Sequence, residues 1–255
     1  MKRNILVALL VGVVVSVCVG LGVLQYVQVQ REDAALNALY FSNTQRWDAD
    51  VVLLQLQDSL LAPLPILLPS PPLNTSKETT RELEYLHTLV TERTAVKQAE
   101  IEAEVFVGKT IYNGISYVER VGVFTRPETY RLFTQTHTEF VGHIVRQKDL
   151  FNRVRPSLLD PALSVAIEIP GHPAYPSGHA SESYFFALLF SELDPDNRES
   201  YFKDAQRIAH NREIAGLHYP SDSAAGVLLA TTYMEQLNNN QWYQQQLEKA
   251  KEEWE

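Results

Sequence analysis

Apolar residues along this chain recur at three- and four-residue intervals, the period of a helix that buries one face against a core. Leu83, Leu86, Leu89 and Val90 form one such stripe, opened by the capping residues Asn74, Thr75 and Ser76, so a helix is predicted from Lys77 onward. A second stripe runs from Ile101 to Ile111. A third, Glu128 to Phe151, carries Leu132, Phe133, Phe140, Ile144 and Val145. Ala180–Leu193, Arg198–Ala215 and Ser223–Leu237 read as three further helices, and Gln241–Glu255 as a polar helix lying on the surface. Leu60–Pro72 holds too many prolines for a helix and is apolar enough to wrap the domain as an extended strap. No period-two alternation flanked by hairpin turns occurs, so the body is predicted to be all-α.

The N-terminus follows a different pattern. Ile5 to Leu24 is apolar apart from Ser16 and three glycines, and Lys2 and Arg3 precede it. About 20 such residues suffice to cross a bilayer, with the basic flank on the cytoplasmic side. Residues 1–30 are read as a membrane anchor with a short connector, a cleaved export signal being the alternative and a buried core helix the remaining one. Residues 31–255 form the folded domain. On either of the first two readings it is exported to the periplasm or another extracytoplasmic space, and an uncleaved run at residues 5–24 would tether it to the inner membrane.

Charge and cysteine content narrow the function classes. A net charge of -9 gives no general basic face for nucleic acid, and an anionic substrate would need a local cluster of cations. Cys18 is the only cysteine and lies within the apolar run, which leaves the body without disulfides, thiol nucleophiles or cysteine metal ligands.

Three stretches carry chemistry. Lys148 and Arg155 are seven positions apart and would share a helix face, with Pro156 turning Arg155 inward at the helix end. Arg153, between them, reads as a solvated basic residue. In Pro176-Ser177-Gly178-His179, Ser177 suits a helix N-cap and Gly178 allows close backbone approach, so amides and dipole at this N-terminus can hold an anion. In Asn211-Arg212 and His218 to Asp222, the carboxylate can take the imidazole Nδ1–H and leave Nε2 free to attack. Three cations, two imidazoles, a carboxylate, a hydroxyl and a glycine amide suit the binding of a tetrahedral oxyanion and cleavage of a bond to it. No carboxylate cluster suggests a metal. His143, His172 and Glu139 are assigned structural or surface roles, a place near the pocket being the alternative for the two histidines.

Lys-x6-Arg-Pro, Pro-Ser-Gly-His and Arg-x5-His-x3-Asp, in this order, closely resemble the signature of the type 2 phosphatidic acid phosphatase superfamily. Bacterial nonspecific acid phosphatases and vanadium-dependent haloperoxidases belong to it. The resemblance implies a compact helical bundle of the acid phosphatase/haloperoxidase type and hydrolysis of phosphomonoesters through a phosphohistidine. It implies that Lys148, Arg155 and Arg212 bind phosphate oxygens with Ser177 and Gly178. His218 would be the nucleophile, His179 the acid and then the base, and Asp222 the group that orients His218. No cofactor is expected, although vanadate should occupy the phosphate site. The partner is a phosphorylated small molecule or a lipid phosphate; a haloperoxidase remains an alternative, since His172-Pro-Ala-Tyr-Pro-Ser-Gly-His179 is similar to that branch, and a non-enzymatic interaction module is the last. The third motif usually opens Ser-Arg, and Asn211 departs from that.

Overall fold

The computed structural model describes residues 21, 24–56, 59–104 and 125–255. The expected anchor, Ile5 to Leu24, lies outside the described residues except for Leu21 and Leu24, and so does the second stripe beyond Glu104. Among the described residues no helix is long and apolar enough to cross a membrane. The chain divides into two units, Met1–Leu39 and Tyr40–Glu255. The first is helical over residues 24–37.

The second unit is all-helical among the described residues, as the periodicity predicted. Its longer helices are α1 (Lys77–Leu89), α2 (Ala95–Ala103), α3 (Pro127–Phe151), α4 (Gly178–Leu193), α5 (Arg198–Ile214), α6 (Pro220–Leu237) and α7 (Gln241–Lys251). Local chemistry sets their starts. Side chains of Ser76, Thr94, Ser177 and Asn240 accept the orphan amides of Thr79, Lys97, Ala180 and Tyr243. Pro127 and Pro220 occupy first-turn positions, where a missing N–H costs nothing. α5 stops at Gly216, whose φ of 74° is the left-handed cap that glycine adopts without strain. Arg93 finishes that end, donating to the carbonyls of Ile214 at 2.6 Å and Ser164 at 2.8 Å.

The core is an aromatic wedge between α3, α4 and α6. Phe140 meets Phe185 and Tyr233 with ring centroids 4.9 and 4.8 Å apart, and Phe133 meets Phe186 at 4.9 Å. α7 is less superficial than its composition suggested. Tyr243, Leu247 and Ala250 bury a narrow seam against α3, and the buried Gln246 donates to the Glu128 carbonyl at 3.2 Å. The strap over residues 60–72 is non-helical and wraps the bundle as expected, burying Leu61, Ala62, Ile66 and Leu68. Glu139 fastens it by accepting the amides of Leu60, Leu61 and Ala62 at 2.8–3.1 Å. His143 bonds Ser59 at 3.2 Å, so both residues serve the strap, in line with the structural role assigned to them.

Candidate active site

Lys148 lies in the last turn of α3, but Arg155 is not on that helix. α3 ends at Phe151, and Asn152 reverses the chain in the left-handed region at φ 46°. Arg155 then takes extended backbone (φ -69°, ψ 150°), as a residue before proline must, and opens the short turn Pro156–Leu159. The expectation of a shared helix face is therefore corrected. The two cations come from different elements and act on one another across the site.

Each buried cation is held differently. Lys148 Nζ donates to the carbonyls of Pro173 at 2.8 Å and Pro176 at 2.6 Å, which leaves one of its three N–H donors. Arg155 donates to the carbonyls of His172 and Leu217, to His172 Nδ1 at 3.0 Å and to His218 Nε2 at 2.9 Å. Arg212 spends only Nη2, on the Ile101 carbonyl at 3.0 Å and Glu104 at 2.7 Å. Its Nε and Nη1 are buried and have no acceptor among the described residues.

The tautomers of two imidazoles follow from their partners. A guanidinium can only donate, so His218 Nε2 carries a lone pair, and so does His172 Nδ1, whose 3.0 Å contact to Arg155 is shorter than its 3.3 Å contact to the Pro173 carbonyl. His218 Nδ1 then holds the proton and faces Asp222 Oδ2 at 3.3 Å. His179 is partly exposed, and its Nε2 donates to the Glu104 carbonyl at 2.8 Å. Burial is the main force pushing all three imidazoles well below the ordinary histidine range. Lys148 and Arg155 reinforce it at His172, Arg212 at His179, and all three cations at His218. Lys148 itself is driven well below the usual lysine range by burial and then by Arg155.

Helix packing joins the second and third motifs. A Cβ added to Gly226 of α6 would lie 2.9 Å from the Ser177 carbonyl and 2.9 Å from the Ser181 amide, so α4 and α6 touch backbone to backbone there. The Ser177 amide donates to the Asp222 carbonyl at 3.0 Å, which ties the cap of α4 to the first turn of α6. At Gly178, which is buried, an added Cβ would meet only Glu182 and Lys148 among the described residues, each at 3.9 Å, so the helix N-terminus leaves room beside the lysine.

Four residues here were missed or undervalued in the sequence. Arg153 is not solvated: it is 4% exposed and donates to Asp222 Oδ1 at 2.6 Å, Ser221 at 2.7 Å and Glu82 at 3.1 Å. Glu82, on α1, also accepts the Ser221 amide at 2.7 Å. Glu104 follows α2 and accepts from Asn211 at 2.9 Å as well as from Arg212. Asn211 uses its other end too, taking a bond from Lys97 at 3.2 Å. A single amide thus bridges an acidic and a basic side chain, which a serine hydroxyl is too short to do. His172, assigned a structural or surface role, contacts Arg155 and lies within electrostatic reach of His218. Its seven-residue offset from His179 was the one available signal.

The site can now be set beside known proteins. A family model described as the PAP2 superfamily matches residues 128–243. The non-specific acid phosphatase of Providencia stuartii is 29% identical over 134 residues, covering 50% of this chain and 54% of the relative. The decaprenylphosphoryl-5-phosphoribose phosphatase of Mycobacterium tuberculosis is 34% identical over 95 residues, covering 36% of this chain and 51% of that one. The chain thus spans about half the length of these curated relatives. A bacterial vanadium-dependent iodoperoxidase shares the fold at a TM-score of 0.57 and 15% identity, over 80% of this chain and 61% of that one.

Proposed function

We propose, from the match of residues 128–243 to the PAP2 superfamily model, that the protein is a phosphomonoesterase working through a phosphohistidine on His218. One observation carries this reading above the others. Arg212 holds a buried guanidinium whose Nε and Nη1 lack acceptors among the described residues, and Lys148 and Arg155 are two more buried cations acting on the same imidazole. An unmet buried donor costs about 1–3 kcal/mol, and a tetrahedral dianion would satisfy several at once.

The residues then divide the work. The remaining Lys148 N–H, the free edge of Arg212, the Gly178 amide and the Ser177 hydroxyl bind phosphoryl oxygens. The N–H that Arg155 gives to His218 Nε2 passes to a phosphoryl oxygen, which frees the lone pair. Nε2 attacks phosphorus as the bond to the leaving alkoxide breaks, and His179 supplies that oxygen with a proton. The bound dianion offsets the cations that keep His179 neutral, so the acid is loaded together with the substrate. Water then attacks the phosphohistidine while His179 takes its proton, and phosphate leaves with His218 restored. Asp222 supports the positive charge that His218 acquires.

Small phosphomonoesters are the substrate class we favour, and we place the reaction outside the cytoplasm on the strength of the N-terminal apolar run. Similarity to a phosphatase named for a decaprenylphosphoryl substrate supports a second reading, a lipid phosphate. The full chain should release phosphate from an aryl phosphate with no added metal, vanadate should compete, and His218→Ala should reduce turnover on the order of 10⁴-fold. Full activity in that variant would remove His218 as the nucleophile. Faster turnover of lipid phosphates than of soluble esters would reverse the order of substrates.

A further inference from the structure

The Asp222 carboxylate has two differently employed oxygens. Oδ2 faces His218 Nδ1 and also accepts the Tyr219 amide at 2.9 Å. Oδ1 takes the shortest of these bonds, 2.6 Å from Arg153. Arg153 is fixed from two further sides. Its guanidinium lies 3.8 Å over the Tyr219 ring, and Glu82 of α1 holds Nη2. The sequence Glu82, Arg153, Asp222, His218 is therefore a continuous buried row of alternating charge that ends on an imidazole.

We infer that Arg153 is a positioning residue for His218, acting through Asp222. By holding Oδ1 it turns Oδ2 toward Nδ1 and offsets the carboxylate's charge, so the imidazole stays neutral with Nε2 available. This rests on the reading of His218 as the nucleophile. The other groups that act on His218 are Lys148 from α3, Arg155 from the turn after it, Arg212 from α5 and the backbone of Ala174, which favours the charged ring; His172 and His179 lie within electrostatic reach. Those three cations disfavour a charged imidazole and Asp222 favours one. Arg153 decides how much of Asp222 the ring feels. Without it, a carboxylate 3.3 Å from Nδ1 acts at full strength and should raise the imidazole pKa.

The test is the ring-nitrogen NMR titration of His218 in the full chain without substrate, assigned with His218→Ala. It reads the imidazole directly, so it stands even if no phosphatase activity is found. The wild-type ring should stay neutral into the mildly acidic range. In Arg153→Gln it should take up a proton there, whereas Arg153→Lys, which keeps the charge, should hold it neutral. Because Arg153→Gln leaves Glu82 and Asp222 facing each other, Glu82→Gln/Arg153→Gln is the control for folding, with the local net charge unchanged. That double variant should also protonate early, and adding Asp222→Asn should abolish the effect. A folded Glu82→Gln/Arg153→Gln protein with a wild-type His218 titration would overturn the inference and leave Arg153 a structural ion-pair partner only.

Discussion

Arg153 and Arg155 are two residues apart and both are hidden from solvent, yet their surroundings are opposite. Arg153 lies between the carboxylates of Glu82 and Asp222, and they raise its pKa despite the burial. Among the described residues Arg155 has no carboxylate partner; its donors end on carbonyls and two imidazoles, and burial pulls it down to about 10. Both remain charged near neutrality. Arg153 is neutralised within the protein by two carboxylates, although its Nε is buried without an acceptor among the described residues. Arg155, like Lys148, has no carboxylate in direct contact among the described residues and feels Asp222 only at a distance. Depth of burial does not distinguish these two arginines. The carboxylates in direct contact with Arg153 do.

The sharpest break of this comparison is in stability. Arg153→Met should destabilise the fold by about 3–5 kcal/mol, because it strands two buried carboxylates. Thermal and denaturant unfolding would measure it, and a loss under about 1 kcal/mol would mean the row of charges is not coupled as described. Arg155→Lys should do the reverse. It should cost on the order of 10²-fold in kcat/KM through the lost fork of donors, with a smaller loss of stability than Arg153→Met, because it strands carbonyls and not carboxylates.

A smaller effect concerns pH. Lys148 is driven toward neutrality in the free protein, and a bound anion favours its charged form, so anion binding takes up protons and must weaken as pH rises. Vanadate affinity should therefore decline on the alkaline side before the ordinary lysine range is reached. Lys148→Arg should move that decline upward at a cost of roughly tenfold or less at neutral pH. Competitive inhibition measured across pH would show it.

These contrasts also mark what the sequence could and could not convey. The all-helical body, the strap and the three motifs were legible because each depends on spacing within one segment. Ser177 at a cap, Pro220 in a first turn and Asp222 four residues from His218 are local facts. Arg153 was misjudged because its partner Glu82 belongs to α1, and no local pattern links them. Glu104 was invisible for the same reason: a lone glutamate after a helix gives no hint that its carbonyl takes His179 while its carboxylate takes Arg212. The seam on α7 was faint because Gln246, polar in sequence, is buried by its bond to Glu128. Reading Lys148 and Arg155 onto one helix failed because the left-handed turn at Asn152 leaves no periodic trace.

Gly226 sets a limit on how this scaffold can be hardened against heat. A glycine inside a helix ordinarily costs about 1 kcal/mol relative to alanine, and such exchanges are a common route to thermostable variants. That route is closed here, since a methyl group would press on the Ser177 carbonyl and the Ser181 amide. The bundle tolerates a weak point in the very helix that carries Asp222, because the backbone contact at that point holds the second motif against the third. Selection for heat resistance would have to find its gains elsewhere, for example among the exposed positions of the strap and of α7.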